Sequence, residues 1–471
     1  MGNDIRETTV SFNTDRKLTD NEIEEVIFYC NHDVEQTMKV FVNQIEEFNT
    51  HMDLIKNFNL NLKYINKTKA QLSAIILGAS QIQPEKQYEN QHEIPHNDEF
   101  EYEIVDTIKL NKYKQVLDWY KDPLNKDYNK KLYLKVAEVN HTFAWGGLHG
   151  AREKYVGEGI YINSDISSFY PSLMLEYNFQ SRNITDKNKY KDIYNTRMKL
   201  KNEGKKKEQQ PLKIVLNSTY GAMKDEYNPL FDPRQANNVC INGQLMLLDL
   251  IEKLEDRFEL IQSNTDGVIF KLNSKDDLDL YKKICNEWSS RTKMTLEHDI
   301  IKKIVQKDVN NYLIVMEDNK IKSKGAYVKE LNPLDYDLPI VNIALKNYFI
   351  NNIPVELTIN NCNNLKEFQK IVKISGKYKY GFHGDKKLSE KVIRVFASRS
   401  KHDRGVFKVK APKAEIGIKP ELLDRVEKIA NTPERCFIEN GDVNNVKTPL
   451  KLDRKYYIDV ANKRIRDFIG D

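Results

Sequence analysis

The chain has 471 residues, 40% hydrophobic and 30% charged, with a net charge of +5; that length suits about three domains, and the composition excludes a disordered chain. Its longest apolar runs, such as "SAIILGA" at 73–79, are too short to cross a bilayer, and the N-terminus "MGNDIRETTV" lacks the pattern of a secretion signal, so no membrane partner and a cytoplasmic location are expected. Five scattered cysteines (Cys30, Cys240, Cys285, Cys362, Cys436) without a C-x-x-C spacing speak against a disulfide framework or a zinc site.

In chain order, the first eighty residues read as helical: "LTDNEIEEVIFYCNHDVEQTMKVFVNQIEEF" repeats apolar residues at three and four, with Thr19 or Asp20 placed to cap its start. A polar stretch over 81–103 reads as a linker; Glu85 to Asp106 carries eight acids and one Lys. "KLYLKVAEVNHTFAWGGLHGAREKY" alternates like strands and then turns through glycines, and "GIYINSD" reads as a strand ending at Asp165. Helical patterns cover 186–223 and 238–257, separated from the next helices by the hairpin "FELIQSNTDGVIFKL". There Asp266-Gly267 is a hairpin signal, with Gly supplying a positive φ. The last 140 residues mix helices ("VNIALKNYFINN", "KPELLDRVEKIA") with short basic strands. Lys366 to Lys413 holds fifteen Lys/Arg against four Asp/Glu, interleaved with Tyr378, Tyr380, Phe382, Phe396 and Phe407. A charge run is ordinarily a solvated face; basic residues mixed with aromatics at this density favour a polyanion.

Three stretches carry chemistry together. Asp165 closes a strand and Asp266 sits at a hairpin tip; two carboxylates facing one another would bind a pair of Mg²⁺ ions, which clamp the attacking and leaving oxygens of a phosphoryl displacement. Between them, Lys213, Asn217 and Tyr220 fall at i, i+4 and i+7, one stripe of a helix, and Arg197 and Lys201 are likewise four apart. Gly204 can turn the chain between the two segments into an antiparallel helix pair whose basic stripes would grip a triphosphate. Each pair alone is ordinarily a solvated helix face, and each acid alone a turn residue; their order raises the functional reading.

"DISSFYPSL" from Asp165 resembles motif A of the family B DNA polymerases, Lys213 to Gly221 matches the pattern K-x-x-x-N-S-x-Y-G of their motif B, and "NTDG" at 264–267 is similar to motif C in a variant form. "WGGLHGA" before motif A and "KVIRVFAS" after motif C resemble the short phage-type members. The resemblance implies an α+β right-hand polymerase fold. It would comprise a helical remnant of the 3′–5′ exonuclease domain (1–80), the linker (81–103), palm with motif A (104–186), short fingers with motif B (187–222), palm with motif C (223–330), and a thumb and DNA-binding region (331–471). It implies template-directed extension of a DNA primer with dNTPs, in phage or viral replication in the host cytoplasm.

By the same resemblance, Asp165, Asp266 and the backbone carbonyl of Ile166 would hold two Mg²⁺, with Mn²⁺ as a substitute. Tyr170 would stack under the sugar and exclude a 2′-hydroxyl. Arg197, Lys201 and Lys213 would hold the triphosphate, and Asn217 and Tyr220 would shape the base-pair pocket. Gly146 and Gly147 would contact the template strand, and Tyr312, Lys322 and Lys324 the primer end; the basic stretch 366–413 would hold duplex by its phosphates. Asn264 stands where motif C has its first acid, a loss of charge expected to weaken metal binding. The absence of a long insertion between motifs A and B predicts weak strand displacement. Tyr29 to Asp33, "YCNHD", resembles the third exonuclease motif, Y-x-x-x-D. Only 28 residues precede Tyr29, and Asp20-Asn21-Glu22 lies in the same helical pattern, an accidental match to D-x-E. The expectation is the polymerase part of a divided or truncated enzyme, with the nuclease core on a separate polypeptide. Competing readings are a catalytically silent DNA-binding subunit, a nuclease with a polymerase-like grip, and a reverse transcriptase or RNA polymerase palm; intact Asp165, Lys213 and Asp266 weigh against silence.

Overall fold

The computed structural model describes residues 1–79, 98, 100–325, 327–410 and 425–470. The linker expected over 81–103 lies outside the described residues except for Asp98 and 100–103. The chain forms two compact units, one of Ile45–Lys322 and one of Met1–Gln44 with Ser323–Asp471.

The first unit is built on β1 (Leu132–Val136), β2 (Val139–Phe143), β3 (His149–Ala151), β4 (Tyr155–Ile166), β5 (Glu259–Asn264), β6 (Gly267–Leu272), β7 (Leu296–Asp308), β8 (Asn311–Met316) and β9 (Ile321–Lys324). They form one sheet in the order β1-β2-β3-β5-β6-β4-β7-β8-β9. Non-consecutive neighbours matter here. The antiparallel pairing of β4 with both β6 and β7 sets Asp165 opposite Gly267 on one side and Glu297 on the other. Residues far apart in sequence therefore meet at one end of the sheet.

The helix Pro233–Leu254 is the spine of this unit: eighteen of its 22 residues are buried, among them Leu245, Met246, Leu247 and Leu248 at 0% exposure. Apolar residues all round a helix mean burial on all sides. The buried polar residues on it have a separate task. Asn238 Oδ1 accepts from Glu103 N at 2.8 Å, Asn242 Oδ1 from Val105 N at 2.9 Å, and Asp249 Oδ2 from Lys109 N at 3.0 Å. Glu252 Oε1 accepts from Asn111 N at 3.0 Å. Two extended residues advance about as far as one turn of helix, so side chains three to seven apart on the helix satisfy the backbone of a segment that has no strand partner.

The second unit holds the helices Asp20–Asn43, Pro339–Asn351, Val355–Asn361 and Arg454–Ile469, and the strands β10 (Lys370–Lys373), β11 (Tyr380–His383), β12 (Lys386–Lys387), β13 (Val392–Ala397), β14 (Val406–Lys410), β15 (Arg425–Lys428) and β16 (Cys436–Ile438). These make a three-stranded sheet β10-β13-β16 and a four-stranded sheet β12-β11-β14-β15. The first residues of the chain are tied to its late ones. Ile5 N donates to Asn440 O, Val443 N to Gly2 O, and the buried Arg394 donates to Asn3 O and Gly441 O.

Two expectations need correcting. "KPELLDRVEKIA" was expected to be helical, but Arg425–Lys428 is a strand paired with β14; residues 419–424 lie outside the described residues. The hairpin β5–β6 forms as expected, yet its positive φ is not at Gly267. Thr265 carries it, at 28°, and Asn264 pairs directly with Gly267 across a Thr265-Asp266 turn.

Candidate active site

Ten residues singled out in the sequence, by spacing or by the family B resemblance, line a single cavity of ≈ 640 Å³: Asp165, Ile166, Tyr170, Arg197, Lys201, Lys213, Asn217, Asp266, Tyr312 and Lys322. They come from β4, β8, β9, the β5–β6 turn and three helices, so the fold, not the sequence, gathers them.

Asp165 and Asp266 are joined through the backbone: Ile166 N donates to Asp266 O at 2.7 Å. Gly267 is needed because of Asp165. A Cβ at 267 would lie 2.1 Å from Asp165 Oδ1, so a side chain there would displace the carboxylate. Asn163 Nδ2 donates to Asp165 Oδ2 at 2.7 Å. The cavity walls strip water from the Asp165 carboxylate and push its pKa up to about 6; the Asn163 bond opposes this and Asp266 adds to it. The same end of the sheet brings two acids that sequence reasoning missed. Glu297 lines the cavity, and Asp299, opposite Asn163 in the ladder, pairs with Lys322 at 3.0 Å. Their i, i+2 spacing on a strand was the available signal; what it lacked was the β4–β7 register.

The turn after Asp165 is made by Ser168, whose φ of 49° and ψ of 47° are left-handed. It starts the helix Phe169–Glu176 and delivers Tyr170 to the cavity. Tyr220 stands edge-on against that ring, outside the lining itself. Burial, above all, raises the Tyr170 hydroxyl pKa.

The helices Lys187–Asn202 and Lys206–Met223 form the antiparallel pair: Tyr190 OH donates to Leu216 O, and Arg197 Nε to Gln209 Oε1. Arg197 is buried and also donates to Ser168 Oγ. Lys201 is ion-paired with Glu297 and reaches Ser167 Oγ at 3.2 Å. Burial by itself would raise the Glu297 pKa, but the bonds from Lys201 and Ser167 outweigh it and hold the carboxyl below its ordinary value. Lys213 lines the cavity without an ion pair among the described residues.

Gly147 supports the hairpin: a Cβ there would strike Thr265 Oγ1 at 2.6 Å, while a Cβ on Gly146 would meet nothing within 4 Å. Leu148 O accepts from Thr265 N at 2.8 Å. Lys324 is exposed at the end of β9. Tyr29 and Asp33 are hydrogen-bonded on the Asp20–Asn43 helix, and neither lines this cavity. Glu22, the acid of the D-x-E match, is spent on a capping box with Thr19.

Among the described residues no group of three or more His, Cys, Asp or Glu could hold a metal. Two carboxylates and a carbonyl fit Mg²⁺, which takes one or two carboxylates and completes its shell with waters and substrate phosphates; they do not fit a closed structural site.

No protein-family model matches the chain. Over 197 residues it is 26% identical to DNA polymerase 1 of Saccharolobus solfataricus, covering 41% of this chain and 21% of that one. The family B DNA polymerase from the hyperthermophilic archaeon Pyrobaculum calidifontis is similar in structure, with a TM-score of 0.49 and 12% identity over 96% of this chain and 57% of that one. This chain thus has weak sequence homology to a DNA polymerase, and it spans about a fifth of that curated relative's length.

Proposed function

We propose that this chain is a template-directed DNA polymerase of the family B type, extending a primer with dNTPs, in the replication of a phage or viral genome. One observation carries the reading: residues from three separated motifs, two acids and three cations among them, line one cavity. Asp165, Asp266 and the Ile166 carbonyl would hold Mg²⁺, which when bound supplies charge neutralisation on the transferring phosphoryl oxygens. Lys213 and Arg197 orient the triphosphate; Lys201 joins them by exchanging Glu297 for phosphate. Tyr170 closes the floor under the sugar, and Asn217 borders the incoming base. The basic 366–413 stretch holds primer–template DNA.

We propose further that the Asp20–Asn43 helix docks a separate polypeptide carrying the rest of a proofreading nuclease. This helix buries none of its residues, and Ile27, Phe28, Val34, Met38 and Val42 are each more than half exposed. An apolar face of this size marks an interaction site, and the Tyr29–Asp33 pair lies on the same helix.

Extension of a labelled primer on a DNA template, with dNTPs and Mg²⁺, tests the first proposal. Wild type should extend and Asp266→Asn should not; no extension by the wild type on duplex that it binds would favour a silent subunit. Degradation of single-stranded DNA by this chain alone, abolished in Asp33→Ala, would remove the need for a nuclease partner.

A further inference from the structure

The four-stranded sheet β12-β11-β14-β15 has an inner and an outer face, and the ladder assigns each side chain to one of them. On β11, Gly381 faces inward: a Cβ there would come within 2.2 Å of Ile374 Cδ1. Val406 is fully buried on the same side, in a core with Ile374, Val372 and Ile393. Successive strand residues alternate between faces and directly opposed residues share one, so Tyr380 and Phe382 face outward. Phe407 and Lys387 both lie opposite Phe382, and Lys428 lies opposite Phe407.

The outer face therefore carries three rings, each half-buried, around Val409, which lies opposite Tyr380 and is buried; none of the rings belongs to the described core of this sheet. Phe382 and Phe407 lie side by side with centroids 5.3 Å apart and planes within 15°. Lys387 Nζ stands 4.6 Å from the Tyr380 centroid. Phosphate binding alone would explain the lysines; it gives no reason for rings on an outer face that the core does not use. Sheets that present aromatics beside cations stack two or three splayed bases and hold the intervening phosphates. A blunt duplex exposes base faces only at its two ends.

We propose that this outer face binds single-stranded DNA, with bases stacked on Tyr380, Phe382 and Phe407 and phosphates met by Lys387 and by Lys428, which exchanges its Glu434 partner for phosphate. The proposal takes from the polymerase reading only that DNA is the ligand. Because the test reads binding, it stands or fails apart from catalysis.

The test is fluorescence anisotropy of the full chain with labelled dT12 and with a blunt 20-base-pair duplex. Phe382→Leu combined with Phe407→Leu keeps apolar bulk and removes both rings. Affinity for dT12 should fall at least ten-fold, as expected for losing stacking on one or two bases, while duplex affinity stays within two-fold. Unchanged dT12 binding, or an equal loss on duplex, overturns the proposal. Phe382→Trp supplies a second readout should the double variant melt early: its added emission should be quenched by dT12 and not by duplex. Absent or indiscriminate quenching also overturns it.

Discussion

The rings of Tyr170 and Tyr220 meet at 62°, with their centroids 4.5 Å apart. Tyr170 thus packs against Tyr220, and the proposed sugar gate is two residues deep. Tyr170→Val should raise NTP incorporation relative to dNTP by about 100-fold, and Tyr220→Leu by about ten-fold, within the range a changed pocket contact spans. Single-turnover incorporation of matched NTP and dNTP measures both. Equal discrimination in Tyr220→Leu and wild type would show that the brace is irrelevant.

Lys213 and Lys201 have different starting points. Among the described residues Lys213 has no ion pair to give up, whereas Lys201 must leave Glu297 and Ser167 before it can hold phosphate. Charge-assisted bonds are worth about 1.5–3 kcal/mol, so Lys213→Ala should raise the dNTP KM by roughly 10- to 100-fold. Lys201→Ala should raise it by less than about ten-fold, because the exchange offsets most of the gain. Steady-state kinetics of both variants decide; a larger effect at Lys201 contradicts the order.

Gly267→Ser places an atom where the Asp165 carboxylate now stands. Misplacing a reacting group by about 1 Å costs on the order of 100-fold in rate. Primer extension should fall by at least that much with duplex binding retained. Full activity in a folded Gly267→Ser protein would mean that the hairpin yields instead of the carboxylate.

His141 is fixed between Val139 O and Ser263 Oγ, at 2.9 and 2.8 Å, beside the β5–β6 hairpin. Burial lowers its pKa to about 4 from an unfolded value of 6.5. In the folded state it stays neutral while the unfolded chain takes up a proton, so its contribution is complete above pH 6.5 and is lost as pH falls toward 4. The loss amounts to at most about 3 kcal/mol. Denaturant unfolding across this range should be less steep in pH for His141→Gln than for wild type; parallel curves would exclude His141 as the source.

Much of the fold and site was legible because it is local. The Asp20–Asn43 helix, its Thr19 cap, the helix pair around Gly204 and the β5–β6 hairpin each follow from one run of consecutive residues. Motif spacing supplied six residues of one cavity, and the family B resemblance four more: Ile166, Tyr170, Tyr312 and Lys322. The acids Glu297 and Asp299 were not legible, since their value depends on β7 lying beside β4 across 130 residues of chain; the pin Asn163 is local, two residues before Asp165 on the same strand, and its i, i+2 spacing was the overlooked signal. Gly267 was read as a turn residue because its real constraint, Asp165, is on another strand. In "KPELLDRVEKIA" the apolar spacing fits a helix, and pairing with β14 overrides it for Arg425–Lys428. The acids of the polar stretch before Asp106 were taken for solvated charge, yet Asp98 pairs with Arg182.

The segment from Glu103 to Tyr113 is held by side chains of the Pro233–Leu254 helix rather than by a strand. An ordinary ladder is indifferent to which residues fill it, so a strand can slide by two positions and recover nearly all its bonds. Here the acceptors are Asn238, Asn242, Asp249 and Glu252, and a slide finds leucines and methionines between them. The segment has one alignment that satisfies it. Substitutions at the exposed Lys109 and Asn111 should be readily absorbed, because there the helix grips backbone groups, whereas Ile108, Leu110 and Tyr113 are core residues; a one-residue insertion or deletion should not be absorbed anywhere in the stretch. At its exposed positions the stretch is constrained in its count of residues more tightly than in their identity.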